Sequence, residues 1–354
     1  MKKTLSFLLA GVILPALMFG QIRMYSTAFY NLENLFDTVH DVGHNDYEYL
    51  PDGTNNWGTM KYTNKLHNMA HVLSQIGTEI TGKDGLKRAC EGPAIVGVSE
   101  VENIHVLEDL LKEPELKDKG WKIIHVEGPD YRGVDCAFFY DPAQFHLDHS
   151  HLTQYVYENG DTTRHTRGFL LASGTIAGEK IHFIVCHWPS RAATSEFREY
   201  GGRQVRIMVD SIQREDPKAK VVIMGDLNDD PKDKSITTAL RAKHKIEDCG
   251  AHDLYNPWYD ILYKVGQGTL LYDGKWNLFD QIIISGNMLN QPGQKRDLDQ
   301  LMFYRSEIFL RDWLIQSEGK NKGAPKRTHS SGVWLNGYSD HLPTQIFFTK
   351  KISQ

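Results

Sequence analysis

Cysteine is scarce in this chain. Only Cys90, Cys136, Cys186 and Cys249 occur among 354 residues, and their spacing matches no zinc-binding pattern. The even count is compatible with one or two disulfides in an oxidising compartment. Cys136 and Cys186 lie in apolar runs, where a free buried thiol fits equally well. An excess of positive charge is also lacking. Forty Lys and Arg stand against 45 Asp and Glu, a formal charge of −5, so bulk attraction to a polyanion is not the main binding force. Local arginines and metal ions can still offset a substrate's charge, so a nucleic-acid substrate survives that test. Phosphate-cradling glycine loops and serine-nucleophile elbows are absent, as are internal repeats and linkers.

What is present begins with residues 1–20. Lys2 and Lys3 precede an apolar run that ends at Gly20. This pattern is a secretory leader rather than a membrane span, being short and followed by a soluble pattern. No cysteine stands at the cleavage point, so a lipoprotein anchor is not indicated. A secreted or periplasmic product is expected, and loss of the two lysines takes its formal charge from −5 to −7. Hydrophobic residues at 40% and aromatics at 11% supply a core and argue against disorder. Residues 21–354 are read as one domain. No obligate protein partner is indicated, and a monomer is expected.

The chain is organised around the stretch from Val221 to Pro231. Val221, Val222, Ile223 and Met224 read as a buried strand. Gly225 then lets the backbone turn, with Asp226 and Asn228 at the strand's carboxyl end. Alternation puts these two on one side if the extended geometry persists. A turn is the plainer reading, since Gly, Asn and Asp dominate turns. Three further apolar runs end in polar residues: one at Glu100, one at His187, and a last turn carrying Asp340 and His341. Helices are expected over Tyr62–Ile76, after Glu100 through about Leu111, and over Phe197–Arg214. His67 and His71 sit one turn apart on the first and could bind zinc, although paired surface histidines seldom do. Phe36–Gly58 reads as a long loop, and Pro292–Arg327 as a short apolar segment followed by a basic, flexible loop.

Together with Tyr30-Asn31-Leu32-Glu33-Asn34 near the start, these ordered motifs resemble the endonuclease/exonuclease/phosphatase superfamily. The likeness runs from about Ile22 to about Phe348. It implies an α/β fold, a four-layer sandwich of two packed mixed β-sheets flanked by helices, and hydrolysis of phosphate esters by in-line attack of water. It also implies a divalent ion, with Mg2+ expected and Mn2+ or Ca2+ as alternatives. Magnesium needs only one or two carboxylates because it keeps several waters.

By this resemblance Glu100 is the metal-binding acid with Asn31 beside it, and Asp340 is a second metal-side carboxylate. Ser99 stands where the family has Gln. A helix N-terminal charge is the lesser reading of Glu100, beside that of a lone carboxylate ligand at the end of a buried strand. Asp280 pairs with His341, as a carboxylate orients a catalytic imidazole. His187 bonds a phosphate oxygen or protonates the leaving group, Asp226 orients or deprotonates the attacking water, and Asn228 holds the phosphate. Arg132 and Arg167 are candidates for stabilising phosphate charge. Trp57, Trp188 and Arg191 are candidates for stacking on or clamping a nucleic-acid strand.

Nucleic acid is the expected substrate. A phosphoinositide, sphingomyelin or another small phosphoester is the alternative. In the phospholipid case Tyr255, Trp258 and Tyr259 would form an exposed aromatic loop against a bilayer. A binding protein on an inactive scaffold would have lost Glu100, Asp226 or His341, and none is lost.

Overall fold

The computed structural model describes residues 21–352 apart from 83, 84, 320 and 331. The leader expected over residues 1–20 lies outside the described residues. Two mixed sheets carry the architecture. The first orders its strands Met302–Ile308, Thr344–Ile352, Gln21–Leu35, Pro93–Val101, Asp135–Tyr140 and Lys122–His125. The second orders Ala242–Lys243, Leu254–Tyr255, Asp280–Ser285, Lys220–Asp226, Glu179–His187, Phe169–Ile176 and Phe145–Thr153.

Strand alternation explains the layering. On Pro93–Val101, Ile95 faces the other sheet while Val96 and Val98 face helices Thr59–Gln75 and Ile104–Lys112. On Lys220–Asp226, Val222 and Met224 face inward, whereas Val221 and Ile223 meet helix Ser195–Glu215. Helices, sheet, sheet and helix follow in order, giving the expected four-layer α/β sandwich. The helical spacing of Leu66, Met69, Ala70 and Leu73 supplies the buried stripe of the first helix.

The apolar part of Pro292–Arg327, expected as a short segment leading into a loop, contains an edge strand, Met302–Ile308. It pairs with the chain's last strand. Its charged and polar Arg305, Ser306 and Glu307 obscure a period of two, and edge strands tolerate such residues. Among the described residues no helix is long and apolar enough to cross a membrane. All four cysteines are free, three of them buried.

The candidate active site

Register builds the site. His187, Asp226 and Asp280 occupy one rung across three adjacent strands, Asp226 pairing in parallel with His187 and antiparallel with Asp280. Their side chains therefore share a level on the second sheet. Asn31 and Glu100 come from the neighbouring parallel strands of the first sheet, whose pairing aligns Asn31 with Ser99. The strand ends of the two sheets meet here, where the Asn31 amide bonds both Glu100 and Asp226.

Glu100 has φ +61°, outside the extended region, so the strand's alternation breaks there. Its carboxylate accepts from Asn31 Nδ2 at 3.1 Å and from the Asn34 N–H at 3.0 Å. The break turns Glu102 elsewhere, to accept the Asp37 N–H at 2.7 Å. Burial raises the Glu102 carboxyl to about 9. Helix Ile104–Lys112 is capped by Asn103, which accepts from the N–H groups of His105 and Val106. Glu100 is thus free of the helix-start role.

Asn31 bridges two acids. Its Nδ2 also donates to Asp226 at 3.0 Å, and its Oδ1 accepts the Glu33 N–H at 2.9 Å. Asn31, expected beside the metal, accepts the Glu33 N–H through its amide oxygen and ties Glu100 to Asp226 through its nitrogen. Asn228 is likewise not placed by alternation. The strand ends at Asp226, Asn228 adopts φ +51°, and Asp226 Oδ1 accepts the Asn228 N–H at 3.0 Å. This local turn still brings both side chains to one cavity. One amide proton of Asn228 is held by the Trp188 carbonyl at 2.9 Å.

His341 Nδ1 lies 2.7 Å from Asp280, with Nε2 3.8 Å from Asp226 and 4.0 Å from Asp340. Ser339 sets this turn, donating to the Asn31 carbonyl at 2.7 Å and accepting the His341 N–H at 3.1 Å. Burial opposes a charge on His341, but Asp280 and Asp226 outweigh it and raise its pKa well above the ordinary histidine value. His187 lies opposite, Nε2 3.7 Å from Glu100 and 3.8 Å from Asp226. Burial, with Arg167 and Arg132 nearby, lowers its pKa well below normal. Burial also raises Asp226 to about 7, with His341 opposing and Asp280 and Glu100 adding to the rise.

Donor atoms of Glu100, His187 and Asp226 lie within 4.8 Å of one another. Two carboxylates and an imidazole, with Glu100 at the cavity wall, suit a divalent ion. Asp340 stands outside that cluster, its Oδ2 2.7 Å from Arg327 Nη2.

A cavity of about 850 Å³ opens from the cluster, walled by Arg132, Arg164, His165 and Arg167 with Tyr131, Tyr157 and Phe197. Arg167 is buried and donates to Asp130 and to the Trp188 carbonyl, both at 3.1 Å. Arg132 is half exposed. The remaining expectations need correction. Trp188 is 1% exposed and Trp57 fully buried, so neither face is open to a base. Arg191 lies over the Phe279 ring and bonds Asp230, Asp233 and the Asn228 carbonyl, beside a separate cavity. Trp258 is buried and donates to the Ile282 carbonyl, which removes it from any exposed aromatic loop. His67 and His71 face Glu113 and Glu115 in turn.

Arg327 and the buried Lys65 carried no signal in their own sequence neighbourhood: Arg327 meets Glu33, and Lys65 meets Thr328, across more than 250 residues.

Residues 26–350 match the model of the Endonuclease/Exonuclease/phosphatase family. The chain belongs to that family. It is a metal-dependent phosphoric ester hydrolase with the DNase I-like sandwich of the endonuclease/exonuclease/phosphatase enzymes. No curated protein matches it in sequence. Among solved structures, D. rerio TDP2, crystallised with a single-strand DNA product, is 14% identical with a TM-score of 0.52 over 92% of this chain and 98% of that one. A family protein of Bacteroides thetaiotaomicron is 15% identical, TM-score 0.53, over 95% and 98%. A mannosyl-6-phosphatase of the same organism is 17% identical, TM-score 0.51, over 91% and 98%. At these identities the likeness is one of fold.

Proposed function

We propose that this enzyme is an exported, Mg2+-dependent nuclease that hydrolyses phosphodiester bonds of DNA or RNA. The observation that carries the reading is the cavity of about 850 Å³ that opens from Glu100, Asp226 and His341, with Arg132, Arg164 and Arg167 on its wall to meet the phosphates of a polyanion. Single-strand DNA on the structurally similar D. rerio TDP2 is in keeping with this. Export rests on the leader pattern of residues 1–20.

In this reading a divalent ion held by Glu100, His187 and Asp226 supplies charge neutralisation at the phosphate. Asp226 orients a water and accepts its proton as the water oxygen bonds phosphorus. His341, held by Asp280, gives its Nε2 proton to the ester oxygen as the P–O bond breaks. Asn228 offers its remaining amide proton to a phosphate oxygen, and Arg132 and Arg167 add positive potential.

The alternative is hydrolysis of a small phosphoester, such as the sugar phosphate named for one structural relative. The test is hydrolysis of plasmid DNA, RNA, mannose 6-phosphate, a phosphoinositide and sphingomyelin, with Mg2+ and with chelator, beside His341→Ala. Nucleic-acid cleavage lost with chelator and with the variant is expected. Release of phosphate or phosphocholine with nucleic acid intact would overturn the nuclease reading.

A further inference from the structure

Away from the strand-end acids, a second set of metal-competent side chains stands at the base of the loop that walls the cavity. Strand Lys122–His125 pairs antiparallel with Asp135–Tyr140, His125 opposite Ala137. Carrying that register two residues further sets Glu127 opposite Asp135, on the face that His125 shares. One donor atom from each of the three lies within 4.8 Å of the others, and His125 Nε2 is 2.9 Å from Asp135 Oδ2. The His125 and Asp135 side chains are 4% and 5% exposed, whereas Glu127 is exposed and leaves the group open to solvent.

Asp135 is held from behind. The Gly128 N–H donates to both its oxygens, at 3.0 and 3.2 Å. A Cβ on Gly128 would stand 2.4 Å from Oδ1, so a glycine is needed for the backbone to come this close. A tetrahedral zinc ion with bonds of about 2.1 Å sets its donors about 3.4 Å apart, inside the spread of these three. An imidazole beside carboxylates favours zinc over Ca2+ and Mg2+, which take oxygen ligands. The two carboxylates match its charge.

The two ends of one loop meet at this group. His125 and Glu127 lead into residues 128–134, and Asp135 leads out. Within the loop Asp130 accepts the Arg132 N–H at 3.0 Å and Arg167 Nη1 at 3.1 Å, so its placement sets both cavity arginines.

We propose that His125, Glu127 and Asp135 bind a zinc-class divalent ion, separate from the catalytic centre, that clips the ends of this loop and holds Arg132 and Arg167 in the cavity wall. Such a clip takes freedom from the loop before any substrate binds. The site does not depend on the nuclease reading.

The test is calorimetric titration of the full protein with Zn2+, and with Ca2+ in parallel, with no turnover required. Glu100→Gln, which impairs the strand-end cluster, serves as the background and should keep one tight Zn2+ site. Adding Glu127→Gln, a surface change, should weaken that site at least about tenfold, and adding His125→Gln should abolish it. If the His125→Gln protein fails to fold, Glu127→Gln decides alone. Bound Zn2+ should also slow tryptic cleavage after Arg132 severalfold in the background protein and not once Glu127→Gln is added. Tight Zn2+ binding absent from Glu100→Gln, or left within about twofold by Glu127→Gln, would overturn the proposal. So would tighter binding of Ca2+ than of Zn2+. Equal tryptic rates with and without Zn2+ would overturn the clip.

Discussion

His341 and Asp280 form a buried pair with Nδ1 2.7 Å from a carboxylate oxygen, and Asp280 is wholly inaccessible to solvent. The pair fixes which imidazole nitrogen faces the cavity. Asp280→Asn keeps the shape but removes the charge that favours a protonated ring. On any cleaved ester kcat should fall by about 10²–10⁴, the range for a positioned acid–base group and its support, with KM within about threefold. Steady-state kinetics decides this. An unchanged kcat would remove His341 from proton transfer.

Asn31 carries a different load. Its amide nitrogen stands between Glu100 and Asp226. Asn31→Ala would leave two buried or half-buried carboxylates facing each other without a donor. Stability in chelator should drop by about 1–3 kcal/mol, the cost of unsatisfied buried polar groups. Added Mg2+ should recover more of that loss in the variant than in wild type. Urea unfolding with and without the ion measures both terms.

Gly225 packs against backbone rather than side chain. A Cβ there would stand 2.1 Å from the Cys186 carbonyl oxygen, so the strands that carry His187 and Asp226 would have to part. Gly225→Ala is expected to cost about 3 kcal/mol as an overpacking change. It should also cost activity out of proportion to any change in substrate affinity. A midpoint of urea unfolding equal to that of wild type would show that the strands absorb the methyl.

Much of this arrangement was legible in the sequence. Apolar runs ending at Glu100, His187 and Asp226 predict strands with chemistry at their carboxyl ends, and strand register does bring His187, Asp226 and Asp280 to one rung. What alternation could not convey is where the backbone leaves the extended region. Glu33, Glu100 and Asn228 all sit at positive φ, and that geometry decides which way Glu102 and Asn228 point. Trp188 illustrates the opposite error. It follows His187 directly, yet its ring packs beneath Gly201, where an added Cβ would meet the indole at 3.0 Å. Proximity in sequence to a site residue is no guide to exposure. Arg327 was hidden for a third reason, since its partner Glu33 lies 294 residues away in the chain and no local pattern encodes such a contact.

A pH effect on stability belongs to His182, away from the site. Its ring is buried against Ser173 Oγ at 2.7 Å. Burial, with Lys180 and His149 adding to it, lowers its pKa from the ordinary 6.5 to about 4. Between these values the unfolded chain binds the proton that the folded chain refuses, so the unfolded state gains as pH falls. Stability from this group is complete above pH 6.5, declines toward pH 4 and is then exhausted. His182→Gln should flatten the unfolding free energy over that window relative to wild type. Identical slopes for the two proteins would place the proton elsewhere.

The cavity walls separate substrate contact from scaffold. Arg164 is exposed, lies over the Phe197 ring and lines the large cavity, whereas Arg191 spends its donors on Asp230, Asp233 and the Asn228 carbonyl. Arg164→Ala should therefore raise KM about three- to tenfold for an anionic substrate, leave kcat nearly unchanged and weaken the dependence of KM on salt. Arg191→Ala should instead lower stability by about 1 kcal/mol, because it loses half-exposed ion pairs to Asp230 and Asp233 and a cation–π contact, with KM nearly unaffected. The two responses are opposite in kind. If Arg191→Ala raised KM and Arg164→Ala did not, the substrate path would run over the Asp230–Asp233 side of the sheet edge, and the arginine-walled cavity would lose its role.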